Sequence, residues 1–223
     1  MHTKSASARA VATTLVLLAA CADAGAQGAT NSVVQTSACG PVAIPGHYGP
    51  FDYTTQHGRL QIVEQFHFTP KVEALLGGES GYLGADLTYT LNAAPNHHRA
   101  LLAAMNYATR TNSETPPHMR MSVECYFDRA IRFRADDTVV RVLFAMYLAR
   151  LKRMPEAERQ LEAAVFYAAD NGLSQNNIGL AYLEFGLYDK ALQQAHRARK
   201  LGFEGTLLAD RLKAVNQWKE PTE

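Results

Sequence analysis

The sequence predicts an all-α chain of antiparallel helix pairs, preceded by an extended arm and closed by a capping helix. Three observations predict it. The stretches Thr138–Asn171 and Gly172–Gly205 are equal in length and superpose end to end, so that Ala145 falls on Gly179, Leu148 on Tyr182, Ala157 on Ala191 and Ala164 on Ala198. Within each copy the small and apolar residues recur at the three- and four-residue spacing of one helix face. Each copy also breaks once between two such runs: Met154-Pro155 in the first, where a first helical turn tolerates proline, and Gly186 in the second, where a helix end favours glycine.

In the second copy, Ile178-Gly179-x-x-Tyr182 places a small residue where the first helix must approach the second. Tyr182 then fills the space between them, and Ala191, Ala195 and Ala198 form the packing face of a second helix, Tyr188–Lys200. The first copy is expected to run as helix from Thr138 to Leu151 and again from Met154. Glycine inside a helix costs about 1 kcal/mol against alanine, so Gly179 needs a reason. Close approach to Ala191 and Ala195 supplies one. Because Ala145 is its counterpart, Gly179→Ala is expected to be near neutral and Gly179→Leu to overpack.

These residues and this period resemble the tetratricopeptide repeat over at least 138–205. Ala195 and Leu161 stand where that family has an aromatic residue, and Ala169 and Phe203 where it has a closing proline. The resemblance implies a right-handed solenoid whose first helices line a concave groove. By that resemblance the groove carries Val139, Val142, Met146 and Arg150 from one unit and Leu173, Asn176, Leu180 and Glu184 from the next. It lacks the lysine, arginine and asparagine set with which chaperone-tail-binding members clamp a carboxylate. A mostly apolar groove suits an amphipathic helix, an extended apolar peptide or another repeat.

At the N-terminus, Lys4 and Arg9 flank the start of an uncharged run, residues 11–20, of signal-peptide length and too short to span a bilayer. Two processing readings compete. Leu18-Ala19-Ala20-Cys21 resembles a bacterial lipobox and would leave a lipidated Cys21, with outer-membrane anchoring implied; Ala24-Gly25-Ala26 fits ordinary cleavage after residue 26. Either one predicts an exported, periplasmic protein that meets a membrane only through a lipid anchor. Cys39 and Cys125 then remain, an even count for an oxidising compartment, and are expected to form a disulfide. With 22 basic and 21 acidic residues the chain is near neutral, which argues against a nucleic-acid partner.

Residues 27–58 are rich in Gly, Pro, Ser and Thr, yet include His47-Tyr48-Gly49-Pro50-Phe51-Asp52-Tyr53. Aromatic residues need something to pack on, so this is expected to be an arm laid on the helical body and pinned by the Cys39–Cys125 bridge. The helical domain, 59–223, opens with half a unit over 59–97, comprising helix at Arg59–Phe66, Pro70–Leu76 and Asp86–Ala94. A unit over 98–137 follows, with helices at His97–Arg110 and His118–Arg134; then come the two copies and a capping helix over 206–218 with Leu208, Leu212, Val215 and Trp218 on one face. The arm, His67-Phe68-Thr69-Pro70 and Pro95-Asn96-His97-His98-Arg99 are also similar to exported proteobacterial repeat proteins of unassigned role. That likeness implies address and architecture and no activity.

No catalytic residues, cofactor or metal are expected. His97 and His98 are adjacent and diverge by about 100° on a helix, and no H-x-x-x-H, C-x-x-C, P-loop or G-x-S-x-G spacing occurs. Arg129, Arg132 and Arg134 interleave with Asp128, Asp136 and Asp137, the pattern of a solvated, self-paired face. The expected function is an exported scaffold that holds a protein or peptide partner in a cell-envelope assembly. The alternative is a periplasmic metal-binding protein or enzyme using the His, Tyr and Asp residues of the arm.

Overall fold

The structure, a computed structural model, describes residues 2, 37–79 and 81–221. The expected signal peptide, Cys21 and residues 27–36 of the arm lie outside the described residues. Ten helices and no strand occur among the described residues: α1 (His57–His67), α2 (Pro70–Glu73), α3 (Leu83–Ala93), α4 (His98–Thr111), α5 (Val123–Phe133), α6 (Thr138–Arg150), α7 (Met154–Ala168), α8 (Gly172–Glu184), α9 (Tyr188–Lys200) and α10 (Leu207–Ala214). The chain is all-α, as its periodicity predicts.

The helix starts repeat because the capping chemistry repeats. Asp137 accepts from the amides of Val139 and Val140 at 3.1 and 3.2 Å, and Asn171, its counterpart one copy on, accepts from Ser174 at 2.9 Å. Each satisfies amide groups that the first turn of α6 or α8 leaves without a helical partner. α6 packs on α7, and α8 on α9, along their lengths, across short turns (151–153 and 185–187) that force the pairs antiparallel. Between the helices of each pair lie fully buried Ala145, Ala157, Leu161 and Ala164, then Ile178, Tyr182 and Ala191. α4 lies against α6, α6 against α8 and α8 against α10, so the first helices of successive pairs form a row.

The arm is docked, and Cys39 and Cys125 are bonded, with 5.0 Å between their α carbons. Beside the bridge, Ser37 donates to Asp128 at 3.0 Å and Arg132 donates to the Gly40 carbonyl at 2.8 Å. Further along, the Phe51 amide donates to the Ala93 carbonyl at 2.8 Å and Tyr48 Oη donates to the Arg59 carbonyl at 3.1 Å. Arg129 departs from expectation. It is 1 % exposed, and its guanidinium donates to the carbonyls of Pro41 and Val42 and to Asn92 Oδ1. The face of α5 that carries Arg129 is covered rather than solvated: the arm supplies carbonyl acceptors that helix periodicity does not reveal. Arg132 and Arg134 do pair with acids, Arg132 with Asp128, and Arg134 with Asp136 and Asp52 of the arm.

Four boundaries also differ from the sequence reading. α2 stops at Glu73, and Leu75 turns left-handed at φ 58° with its carbonyl held by Arg110 at 2.6 Å. α3 begins at Leu83 rather than Asp86, and packs on α1, so residues 59–97 contribute two facing helices. α5 begins at Val123 rather than His118, because Ser122 caps it by accepting from the Cys125 amide, while Met119 turns into the core. α10 ends at Ala214; Asn216 is left-handed at φ 58°, and Trp218 folds back beside His196 at a ring separation of 4.9 Å.

Gly179 lies closer to the cap than to its own pair. A β carbon there would overlap the Leu208 side chain of α10, and would lie 3.1 Å from Gln194 Cβ and 3.4 Å from the Ala191 carbonyl oxygen. Near neutrality of Gly179→Ala, expected from Ala145, therefore does not follow: Leu208 is 1 % exposed and has little room to yield.

Candidate functional site

The row of first helices turns part of each helix outward, and on α6 and α8 that part is apolar. Val139 and Leu173 are 39 % and 55 % exposed, while Val142, Met146 and Leu180 are half-buried. Between the two helices lies a depression of about 270 Å³. Its walls are Val139, Val142, Leu143, Ile178 and Leu180, and Thr138, Ser174 and Asn177 form its polar edge. Of the residues predicted for a groove, Val139, Val142 and Leu180 line this slot together. Leu143 and Ile178 were not among the predicted groove residues: Leu143 is half-buried, and Ile178 belongs to the core, with no exposed surface, and floors the slot from beneath.

Arg150 sits elsewhere. Its guanidinium donates to Asn106 Oδ1 at 2.9 Å and Thr109 Oγ1 at 3.2 Å of α4, beside a separate hollow that Glu114 also lines. Two predicted groove residues turn toward the cap. Asn176 is 6 % exposed and lines a cleft with Ala195 and Leu208, and Glu184 pairs with Arg211 of α10. α10 occupies the side of α8 that a further first helix would take, which draws both residues out of an open groove. Their positions follow from the cap and not from the repeat.

Of the His, Tyr and Asp residues of the arm, Asp52 and Tyr53 meet a second polar centre, where the arm crosses the α3–α4 and α5–α6 turns, while the His47 ring lies 4.5 Å from that of Tyr89. Asn96 is fully buried and bridges two acids, donating to Asp52 Oδ1 at 2.9 Å and Asp137 Oδ2 at 3.0 Å, while its own Oδ1 accepts from the Tyr53 amide at 3.0 Å. His98 reaches Asp137 at 2.8 Å, and Arg134 pairs with Asp52. Burial alone would raise the Asp52 carboxyl, but hydrogen bonds from Asn96 and Thr54 outweigh it and hold it down at about 2. His97, with no exposed surface, bonds Glu64 at 3.1 Å and stacks near Tyr53 at 4.2 Å. Asp52, Tyr53 and Asn96 hold the arm to the turns, and the His97–Glu64 bond ties α1 to the start of α4. Among the described residues no group of three or more His, Cys, Asp or Glu side chains could hold a metal ion.

A third cluster lies on α1 and α3. His67 Nδ1 bonds buried Asp86 at 2.8 Å and its ring stacks on Tyr89 at 3.8 Å, beside exposed Ile62 and Phe66. No protein-family model matches this sequence, and no curated protein or solved structure is significantly similar to it. The slot between α6 and α8 offers apolar shape with a hydrogen-bonding edge, which can receive one or two apolar side chains of a partner. No helix among the described residues is long and apolar enough to cross a membrane.

Proposed function

We propose that this chain is an exported scaffold of the tetratricopeptide-repeat kind, a right-handed solenoid that holds a partner protein of the cell envelope. The observation that carries the reading is the apolar slot formed by Val139, Val142, Leu143, Ile178 and Leu180 between helices that start at the matched positions Thr138 and Gly172. The slot is apolar along its walls, with polar side chains only at its edge. The register shared by the two copies supports the solenoid, and the apolar run ahead of Cys21 supports export. In this reading the chain binds and does no chemistry: an apolar helix or extended segment lays its side chains into the slot, and main-chain groups of that segment meet Thr138, Ser174 and Asn177.

The test is affinity purification from crosslinked envelopes with the native chain and with a Val142→Lys, Leu180→Lys variant. One specific partner should be recovered with the native chain and lost with the variant, while the circular dichroism of the two remains the same. Recovery of no specific partner, or equal recovery with both chains, removes the reading.

A further inference from the structure

The Cys39–Cys125 bridge borders a surface cleft. Both cysteines are half-buried and line a cleft of about 450 Å³ between α5 and α7, floored by Ile131, Phe144 and Leu148. A disulfide sealed in a core is beyond the reach of a thiol; one that lines a cleft of this size is not. The two sulfurs also differ in setting. Cys125 is the third residue of α5, and its amide donates to the capping Ser122 Oγ at 3.2 Å, so its sulfur lies in the first turn of an 11-residue helix. A helix N-terminus stabilises a thiolate there and lowers its basicity. Cys39 sits in the arm outside any helix. The acids that line the cleft are engaged, Glu124 and Glu156 by Arg153 and Asp128 by Arg132, and Arg159 lines it as well.

We propose that this bridge is a regioselective thiol–disulfide exchange site, in which an incoming thiol attacks Cys39 and expels Cys125. The thiolate forms a new S–S bond to Cys39 Sγ as the Cys39–Cys125 bond breaks, and the electron pair leaves on Cys125 Sγ, which takes a proton from water. The lower-basicity sulfur is the better leaving group. A monothiol forms the mixed disulfide on Cys39 first, and a second molecule of it must attack that bond to free Cys39 and leave as the monothiol's own disulfide. A dithiol continues, its second sulfur displacing Cys39, so that the reductant becomes a disulfide and the protein gains two thiols. After the first step hydrogen bonds from Ser37, Arg129 and Arg132 still hold residues 37–42 to α5. The bridge is thus the covalent catch of a strap that covers the buried Arg129.

The experiment uses the oxidised full chain in a Cys21→Ser background, which removes the third thiol. It is incubated with reduced glutathione at neutral pH without denaturant, quenched in acid at intervals, and the mixed disulfide is mapped by peptide mass analysis. The adduct is expected on Cys39 in roughly tenfold excess over Cys125. An even split, an excess on Cys125, or no adduct until urea unfolds the chain overturns the proposal.

Discussion

His97 shows how a buried titratable side chain can serve structure. Its Nδ1 accepts from the Ala100 amide at 3.2 Å, capping α4, so the ring hydrogen sits on Nε2 and is donated to Glu64 Oε1. The neutral ring therefore uses both nitrogens. A second proton on Nδ1 would face the Ala100 amide at the positive end of α4. Burial pushes the His97 imidazole below its ordinary 6.5, against the opposing pull of Glu64. The unfolded chain then binds a proton that the folded chain resists. Stability from His97 is complete above about pH 6.5 and is lost as pH falls below it. Urea midpoints measured at pH 8 and pH 5.5 should drop more for the native chain than for His97→Asn, which caps without titrating. Equal drops would assign the acid sensitivity to other groups.

At the scale of the element, the two copies end their first helices with the same turn and different residues. Gly186 is left-handed at φ 74°, and the Leu187 amide reaches back to the Tyr182 carbonyl at 2.9 Å. Lys152, its counterpart in the first copy, is left-handed at φ 63°, with the Arg153 amide on the Leu148 carbonyl at 3.0 Å. A side chain is strained in that region and glycine is not. Lys152→Gly should stabilise the fold by about 0.5–1 kcal/mol, and Gly186→Lys should cost about 1 kcal/mol. Thermal midpoints decide it, and a loss in the first variant removes the argument. Boundaries were legible where the sequence states its own break, as at Met154-Pro155 and Gly186. They were not legible where a distant partner chooses them: Arg110 holds the Leu75 carbonyl that ends α2, and Met119 leaves helix to enter the core ahead of α5.

Across the whole molecule, the ends decide what the repeat alone cannot. The helix pairs were legible because each is a local object with its own period. The fate of Arg129 was not, since its acceptors lie 87 and 88 residues away in a segment without periodicity. Nor was the loss of Asn176 and Glu184 from the groove, since that depends on how the cap lands. The arm is the first of these ends. With a sequence separation of 86 between Cys39 and Cys125, the bridge removes loop freedom from the unfolded chain worth about 4–5 kcal/mol at most. The Cys39→Ser, Cys125→Ser variant should lose part of that, read as a lower urea midpoint, and an unchanged midpoint would mean that the unfolded chain is not restrained by the bridge. The cap is the second end, and Gly179 is its seat. Gly179→Ala puts a methyl group against buried Leu208 and should cost about 1 kcal/mol, because the crowding exceeds the gain in helix propensity. Gly179→Leu should cost about 3 kcal/mol and lift α10 from α8. Trp218 reports the event, since it packs beside His196 of α9 and under Lys213 of α10. Its emission should shift red in the leucine variant while α6 and α7 retain their helicity. Combining Gly179→Ala with Leu208→Ala should cost less than the two single changes together, because the shortened side chain makes room for the methyl group. Strict additivity, with no red shift in Gly179→Leu, would mean that Leu208 does not seat on Gly179 and that the cap is held some other way.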